Sequence, residues 1–327
     1  MTAVDLPAHP ALRPRPLDYE PASSDLAGQL QRALGATEVH RARTAHAAPY
    51  GYYRVAATDA LFVKVFPRNR LPHLLAVQAL AAQLHRAGCP VQPMLGAPLD
   101  LSDDAVGLVY AHIAERFAQD NPVDAEHVGS ALRSIHNALA PIVPPAAVSL
   151  ISEQWRSAIT GLGKVPLLDP SVDALVADLL SRWDLVAGSL DRDSQLIHND
   201  YHRGNVLMGP QGVAAVLDFD DAVAATGSPL IDLAIGLERF CLADTTPVVG
   251  ARLAAAFLAG YGRGMAETSA GELERIAIAR LLFSLGILHA NPRSDDPGWQ
   301  AENSKLIGLL RSWPQWRQTL IATGFRT

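Results

Sequence analysis

Apolar and polar positions divide the chain into two unequal parts. Ser24 to Leu34, closed by Gly35, reads as a short capped helix. From about Thr37 to Pro67 the pattern changes to β-like runs, at Glu38–Ala45, Tyr52–Ala57 and Leu61–Phe66. Leu71 to Ala87 is predicted helical, stopped by Gly88 and Pro90, and Val106 to Ile113 reads as one more strand with Gly107 as a weak point. The remainder is mostly helical, apart from three apolar pairs at Leu196-Ile197, Val206-Leu207 and Val216-Leu217 that bracket polar residues. The turn signal Gly209-Pro210-Gln211-Gly212 joins the last two pairs into a predicted hairpin. The expected class is α+β: an extended arm over residues 1–22, a small β-rich part, and a larger, mainly helical part.

Composition narrows the function classes. With 327 residues, 49% of them hydrophobic and 18% charged, the chain is globular and long enough for two lobes. A net charge of −6 argues against a general nucleic-acid binder or a binder of anionic membranes. Cys89 and Cys241 form neither a metal-ligand pattern nor a disulfide framework, and read as buried small apolar residues. The proline-rich N-terminus lacks the apolar stretch of a secretory signal, and no apolar run is long enough to span a bilayer. A cytoplasmic location is expected.

The polar residues between the apolar pairs carry the candidate chemistry. His198-Asn199-Asp200-Tyr201-His202-Arg203-Gly204-Asn205 precedes the hairpin, and Asp218-Phe219-Asp220 follows its second strand. Kinase-type phosphoryl transfer needs such groups: one carboxylate to orient and deprotonate a hydroxyl, and an amide plus a second carboxylate to hold Mg²⁺. An alternative is open. On a strand, His198, Asp200 and His202 would share one face and could bind a transition metal, with His136 or His289 added, but Asn205 and Asp218 then have no role. Lys64 is one of three lysines and stands in the apolar strand Leu-Phe-Val-Lys-Val-Phe. It reads either as a phosphate partner or as an edge-strand lysine whose stem snorkels to water.

These segments resemble the aminoglycoside phosphotransferase and choline kinase-like family, small-molecule relatives of the protein kinases. The resemblance implies a protein kinase-like two-lobe fold, with a nucleotide lobe at 23–111 and a catalytic and substrate lobe at 112–327. It implies ATP- and Mg²⁺-dependent phosphotransfer to the hydroxyl of a small molecule. Carried over by residue, Asp200 is the catalytic base, Asn205 and Asp218 are metal ligands, and Lys64 holds the nucleotide phosphates. His198 and His202 match histidines frequent in the family, and Asp232 in Pro-Leu-Ile-Asp-Leu-Ala matches an aspartate that braces the catalytic loop. Tyr110 to Ile113, His112 included, falls where a hinge would offer backbone groups to adenine, and His136 matches a helix-end histidine read as structural. Asp220 either touches a second Mg²⁺ or faces water. Arg203 either neutralises the γ-phosphate or pairs with a carboxylate.

The chain also departs from the pattern. No acidic residue lies between Lys64 and Asp100, so the usual glutamate partner of the lysine is missing; Gln78 is either its neutral substitute or a solvated polar residue. Only Gly51 represents the glycine-rich loop. These gaps keep a kinase-like binding protein without activity, and a protein Ser/Thr kinase, as alternatives. The acceptor site is expected within 145–190 and 235–327. Its candidate acids are Glu238, Asp244, Glu272, Glu274, Asp295, Asp296 and Glu302, and the five tryptophans offer an aromatic cage for a quaternary ammonium. The pattern names no acceptor and no oligomeric state.

Overall fold

Six antiparallel strands come from the first third of the chain: β1 (Tyr19–Pro21), β2 (Glu38–Ala42), β3 (Gly51–Ala56), β4 (Ala60–Pro67), β5 (Leu99–Asp100) and β6 (Ala105–Ala111). They lie in the order β1-β2-β3-β4-β6-β5, with α1 (Asp25–Leu34) after the first strand and α2 (Leu71–Arg86) after the fourth. This computed structural model describes residues 14, 16–22, 25–43, 49–114, 116–144, 148–165, 170–262, 268–292 and 296–326. Ser24, Thr44 and Ala45, at the ends of two predicted elements, and all but eight positions of the predicted arm therefore lie outside the described residues.

The strand period of two does the positioning. Val63 and Val65 bury into a core shared with Leu30 of α1, and Phe62 and Lys64 consequently face the opposite side of β4. Because β4 lies between β3 and β6, Lys64 is on a central strand, opposite Tyr52 on one side and Leu108 on the other. The edge-strand reading of this lysine is thereby overturned.

The rest of the described chain is mainly helical. In order it forms β7 (Arg116–Phe117), α3 (Pro122–Leu139), β8 (Ser149–Leu150), α4 (Ile151–Leu162), α5 (Pro170–Ser181), α6 (Trp183–Leu190) and β9 (Gln195–Leu196). Then follow β10 (Val206–Gly209), β11 (Gly212–Val216), β12 (Ala225–Gly227), α7 (Leu230–Gly236), α8 (Pro247–Tyr261), α9 (Ala270–Ala290) and α10 (Pro297–Ala322). The predicted hairpin is β10–β11, which β7 extends into a three-stranded sheet. Strand β9, by contrast, pairs with β12 and ends at Leu196, so residues 198–202 form no strand. Both cysteines are buried and unbridged. Among the described residues no helix is long and apolar enough to cross a membrane.

Helices α3 and α8 pack backbone to backbone. A methyl group on Gly129 would collide with the carbonyl of Phe257, and one on Gly260 with the carbonyl of Glu126. Since both obstacles are main chain, neither can swing aside. Gly129→Ala is expected to lower stability by about 2–3 kcal/mol despite its better helix propensity, read as an earlier midpoint in denaturant. An unchanged midpoint would show that the two helices can separate at little cost.

Candidate active site

The polar loop after β9 is held from below. Asp232, fully buried in the first turn of α7, accepts hydrogen bonds from the backbone N–H of His198 (2.8 Å) and of Asn199 (2.7 Å), and from His136 Nε2 (2.9 Å). The Tyr261 hydroxyl closes the chain on His136 Nδ1 at 2.8 Å. Asn199 can therefore sit at φ 63°, a left-handed conformation that the loop needs to turn and that an unsupported asparagine would hold only at a cost. His198 spends both ring nitrogens on the protein: Nε2 donates to the Leu217 carbonyl at 2.9 Å and Nδ1 accepts the Asp200 N–H at 3.3 Å. The transition-metal reading fails here, because it needs His198, Asp200 and His202 on one strand face with free nitrogens.

Asp200, Asn205 and Asp218 converge above this base. His202 Nδ1 accepts the Gly204 N–H, which closes a 3₁₀ turn over Arg203–Asn205, and its Nε2 lies 3.2 Å from Asp200 Oδ2. Asn205 Nδ2 donates to the Asp200 carbonyl at 3.0 Å and lies 3.4 Å from its Oδ2. The Leu217 N–H donates to the Asn205 carbonyl at 2.8 Å, so the end of β11 brings Asp218 beside Asn205. Asp218 is the second non-glycine at this site with positive φ, at 64°. Burial alone would raise the Asp200 carboxyl. The hydrogen bond from His202 and the charge of Arg280 outweigh it and hold the group well below the usual carboxylate range.

The donor set suits a hard cation. Asn205 turns its amide nitrogen to Asp200 and lines the cleft, and half-exposed Asp218 lines it too, its one ion pair among the described residues being to Lys64. Oxygen donors of this kind fit Mg²⁺.

Several expected residues sit where the sequence did not put them. Lys64 Nζ is 3.4 Å from Asp218 Oδ1, so its counter-charge comes from the chain itself and not from α2. Burial alone would lower its pKa, but Asp218, with Tyr110, Tyr52 and Asp220, raises it. Gln78 does not reach Lys64. Its Nε2 donates to the Tyr110 hydroxyl at 2.8 Å, and its Oε1 is buried with no partner among the described residues. Tyr110 lies on β6 and faces the cleft through its ring, whose hydroxyl burial pushes up to about 12. The His112 N–H is taken by the Ala60 carbonyl at 2.8 Å, which removes it as an adenine donor. Asp220 pairs with Arg70 at 3.0 Å and does not simply face water.

Arg203 shows the pairing role and not the phosphate role. Its guanidinium contacts Asp120 and donates to the carbonyls of Arg239 (2.8 Å), Phe240 (2.6 Å) and Ala118 (3.2 Å).

Two cavities flank the Asp200–Asn205 turn. The larger, about 680 Å³, separates the Lys64 face of the sheet from the β10–β11 hairpin and reaches Tyr52, Phe62, Tyr110, Leu207 and Asp218. The smaller, about 360 Å³, opens on the other side of Asp200 toward Arg239, Arg280, Ser284, Glu302 and Lys305. Of the expected acids only Glu238 and Glu302 line it. Glu272 and Glu274 pair with Arg192 and Arg317, Asp296 caps α10, and Asp295 lies outside the described residues. No tryptophan lines this cavity, and Trp155, Trp183 and Trp313 are core residues, so the aromatic cage is absent from it. Arg280 escaped the sequence reading, although it carries the same signal as Lys64: a lone cation in an apolar run, Ile-Ala-Ile-Ala-Arg-Leu-Leu-Phe.

A β-rich sheet over a helical body, with an acid, an amide and a second acid at their junction, defines a kinase-type phosphotransferase architecture. The profile of the phosphotransferase enzyme family matches residues 46–270, more than half of the chain, and the protein belongs to that family. Solved structures agree on the fold. A spectinomycin phosphotransferase in complex with ADP and spectinomycin is 14% identical with a TM-score of 0.61, covering 92% of this chain and 100% of its own. A thermostable aminoglycoside phosphotransferase mutant, in a ternary complex with ADP and hygromycin B, is 15% identical with a TM-score of 0.62 over 88% and 99% of the two chains. The choline kinase LicA from Streptococcus pneumoniae is 14% identical with a TM-score of 0.59 over 88% and 98%. No curated protein matches the sequence.

Proposed function

We propose that the protein transfers the γ-phosphate of ATP to a hydroxyl of a small molecule, with Mg²⁺ held by Asn205 and Asp218. The observation that carries this reading is that Asp200 lines the smaller cavity while Asn205 and Asp218, on the other side of the turn, line the larger one, with Gly204 lining both. Nucleotide-bound relatives, such as the spectinomycin phosphotransferase crystallised with ADP, support the choice of nucleotide. Residues 23–111 serve as the nucleotide lobe and 112–327 as the catalytic and substrate lobe. The smaller cavity then takes the acceptor.

Each residue has a task. Lys64 binds the nucleotide phosphates and exchanges its bond to Asp218 for one to phosphate. Tyr110, fixed by Gln78, closes the back of the nucleotide cavity. Asp200 accepts a hydrogen bond from the acceptor hydroxyl and aims its oxygen; the proton passes to the carboxylate as the new O–P bond forms and the bond from the γ-phosphorus to the departing ADP breaks. His202 and Asn205 hold that carboxylate in one orientation. Mg²⁺, when bound, supplies charge neutralisation on the phosphates. The missing acidic partner of Lys64 does not by itself favour an inactive binding protein, since Asp218 holds the ammonium at the cleft until phosphate replaces it.

Thermal unfolding with ATP, with and without Mg²⁺, tests the reading. At about one hundred times Kd, ligand binding adds about 2.7 kcal/mol to native stability, so a Mg²⁺-dependent rise in Tm is expected. No rise at millimolar MgATP overturns the proposal. Lys64→Ala is expected to weaken MgATP about tenfold or more, since a charge-assisted hydrogen bond contributes about 1.5–3 kcal/mol. Unchanged nucleotide affinity in this variant would remove Lys64 from the phosphate site.

A further inference from the structure

The walls of the smaller cavity say something about the acceptor. A short π-helical turn at Leu237–Leu242 continues α7 and sets Glu238 and Arg239 at the cavity, with α9 and α10 opposite. Among the described residues four cations and three carboxylates line it, and nearly all are already matched. Glu238 is buried, 2.8 Å from Arg239 Nε and 2.7 Å from the indole N–H of Trp313. Glu302 pairs with Lys305, and Arg203 with Asp120. Among the described lining residues Asp200 is the one carboxylate without a close cation, so a polycation would find little there to neutralise it.

Arg280 is the exception among the cations. Its side chain, 18% exposed, comes off α9 and stops 3.9 Å from Asp200 Oδ1, beyond hydrogen-bond reach. Its protein bonds go to neutral oxygens, the Ser284 hydroxyl and the Asn199 carbonyl at 3.5 Å. Its Nε is buried with no acceptor among the described residues. A largely buried guanidinium with spare donors and only neutral hydrogen-bond partners favours a planar anion, which its fork of N–H groups matches.

We infer that the acceptor carries a carboxylate close to its hydroxyl, and that Arg280 holds the carboxylate while Asp200 receives the hydroxyl. This rests on the phosphotransfer reading above. The short span from Arg280 to Asp200 places both acceptor groups on one small molecule, a hydroxy acid or a hydroxy amino acid. The relatives named above include proteins crystallised with spectinomycin and hygromycin B; the charge balance here calls for a different class.

Matched acceptor pairs that differ in the carboxylate test this on the full chain: L-serine against ethanolamine and glycerate against glycerol, with kanamycin as a polycation. ADP release is measured with MgATP, and thermal stabilisation is measured over MgADP alone. The carboxylate member of each pair is expected to be preferred about tenfold or more in kcat/KM or in affinity. Arg280→Gln is expected to erase that preference, and Arg280→Lys, which keeps the charge and loses the fork, to retain part of it. Equal response within the pairs, preference for the amines, or no response to either carboxylate at tens of millimolar overturns the inference. Equal loss for both members of a pair in Arg280→Gln also overturns it, because the guanidinium then serves the transferred phosphate. Should that variant not fold, the wild-type preference decides alone. A protein that MgATP stabilises but that prefers amines fails this inference only, whereas one that MgATP does not stabilise fails the phosphotransfer reading beneath it.

Discussion

Asp200→Asn lowers turnover by about 10²–10⁴-fold, the usual range for a positioned general base, while the Mg²⁺-dependent rise of Tm with ATP persists. The substitution preserves shape, and the backbone bonds from Asp200 to His198 Nδ1 and from Asn205 Nδ2 to the Asp200 carbonyl do not involve the lost charge. The loop therefore stays in place, and nucleotide binding on the far side of Asn205 is retained. What is lost is the acceptor for the hydroxyl proton. ADP release and thermal shift measured on one preparation separate the two effects, and full turnover in the variant would remove Asp200 as the base.

The pH dependence follows from the same surroundings. Burial pushes the Asp200 carboxyl up, but the hydrogen bond from His202 and the charge of Arg280 hold it below its ordinary value. A group with a depressed folded pKa stays ionised as pH falls through the ordinary carboxylate value of about 3.9. Loss of turnover on the acid side should therefore not come from Asp200. Its contribution to stability is present above that ordinary value and is lost only as pH falls further, through the folded value. A carboxylate held so low is also a weak proton acceptor before reaction, so orientation is the larger part of its task.

The second large effect belongs to Asp232. Asp232→Ala removes one carboxylate and leaves the His198 and Asn199 N–H groups and His136 Nε2 without their acceptor, in a fully buried position. Removing one partner from such a buried network costs about 3–5 kcal/mol. Tm is expected to fall by roughly 5–10 °C. Turnover should fall as well, even well below the new Tm, because the φ of 63° at Asn199 depends on that brace. A melting temperature equal to that of the unchanged protein would mean that the loop is held by other contacts.

Local signals were the legible ones. The period-two runs of β3 and β4, the helical pattern of α2 and the turn between β10 and β11 are short-range features, and all were found within a few residues of their bounds. The spacing of Asp200, Asn205 and Asp218 was legible for the same reason. What escaped depends on residues far apart in the chain. Asp218 reaches Lys64 across 154 positions, Asp220 reaches Arg70 across 150, and Asp120 reaches Arg203 across 83, and no local pattern announces such pairs. A strand running on from Leu196-Ile197 through the histidines belongs to the metal-site alternative alone. The Asp232 carboxylate, 33 and 34 positions away, instead binds the backbone donors that a strand ladder would have used.

Helix α2 belongs to two cores at once. Leu74 packs with Val106, Leu108 and Tyr110 beneath the sheet, while Val77, Leu80, Ala81 and Leu84 enter the large core with Leu132 and Val206. One turn beyond the helix the chain is stitched to the hairpin, where the Val216 N–H donates to the Pro90 carbonyl at 2.6 Å. Severed from the helical body, the sheet would carry with it an uncovered stripe of leucine and valine and would be prone to associate through it. A wide opening of the cleft would expose that stripe, and loss of either half would leave part of α2 uncovered.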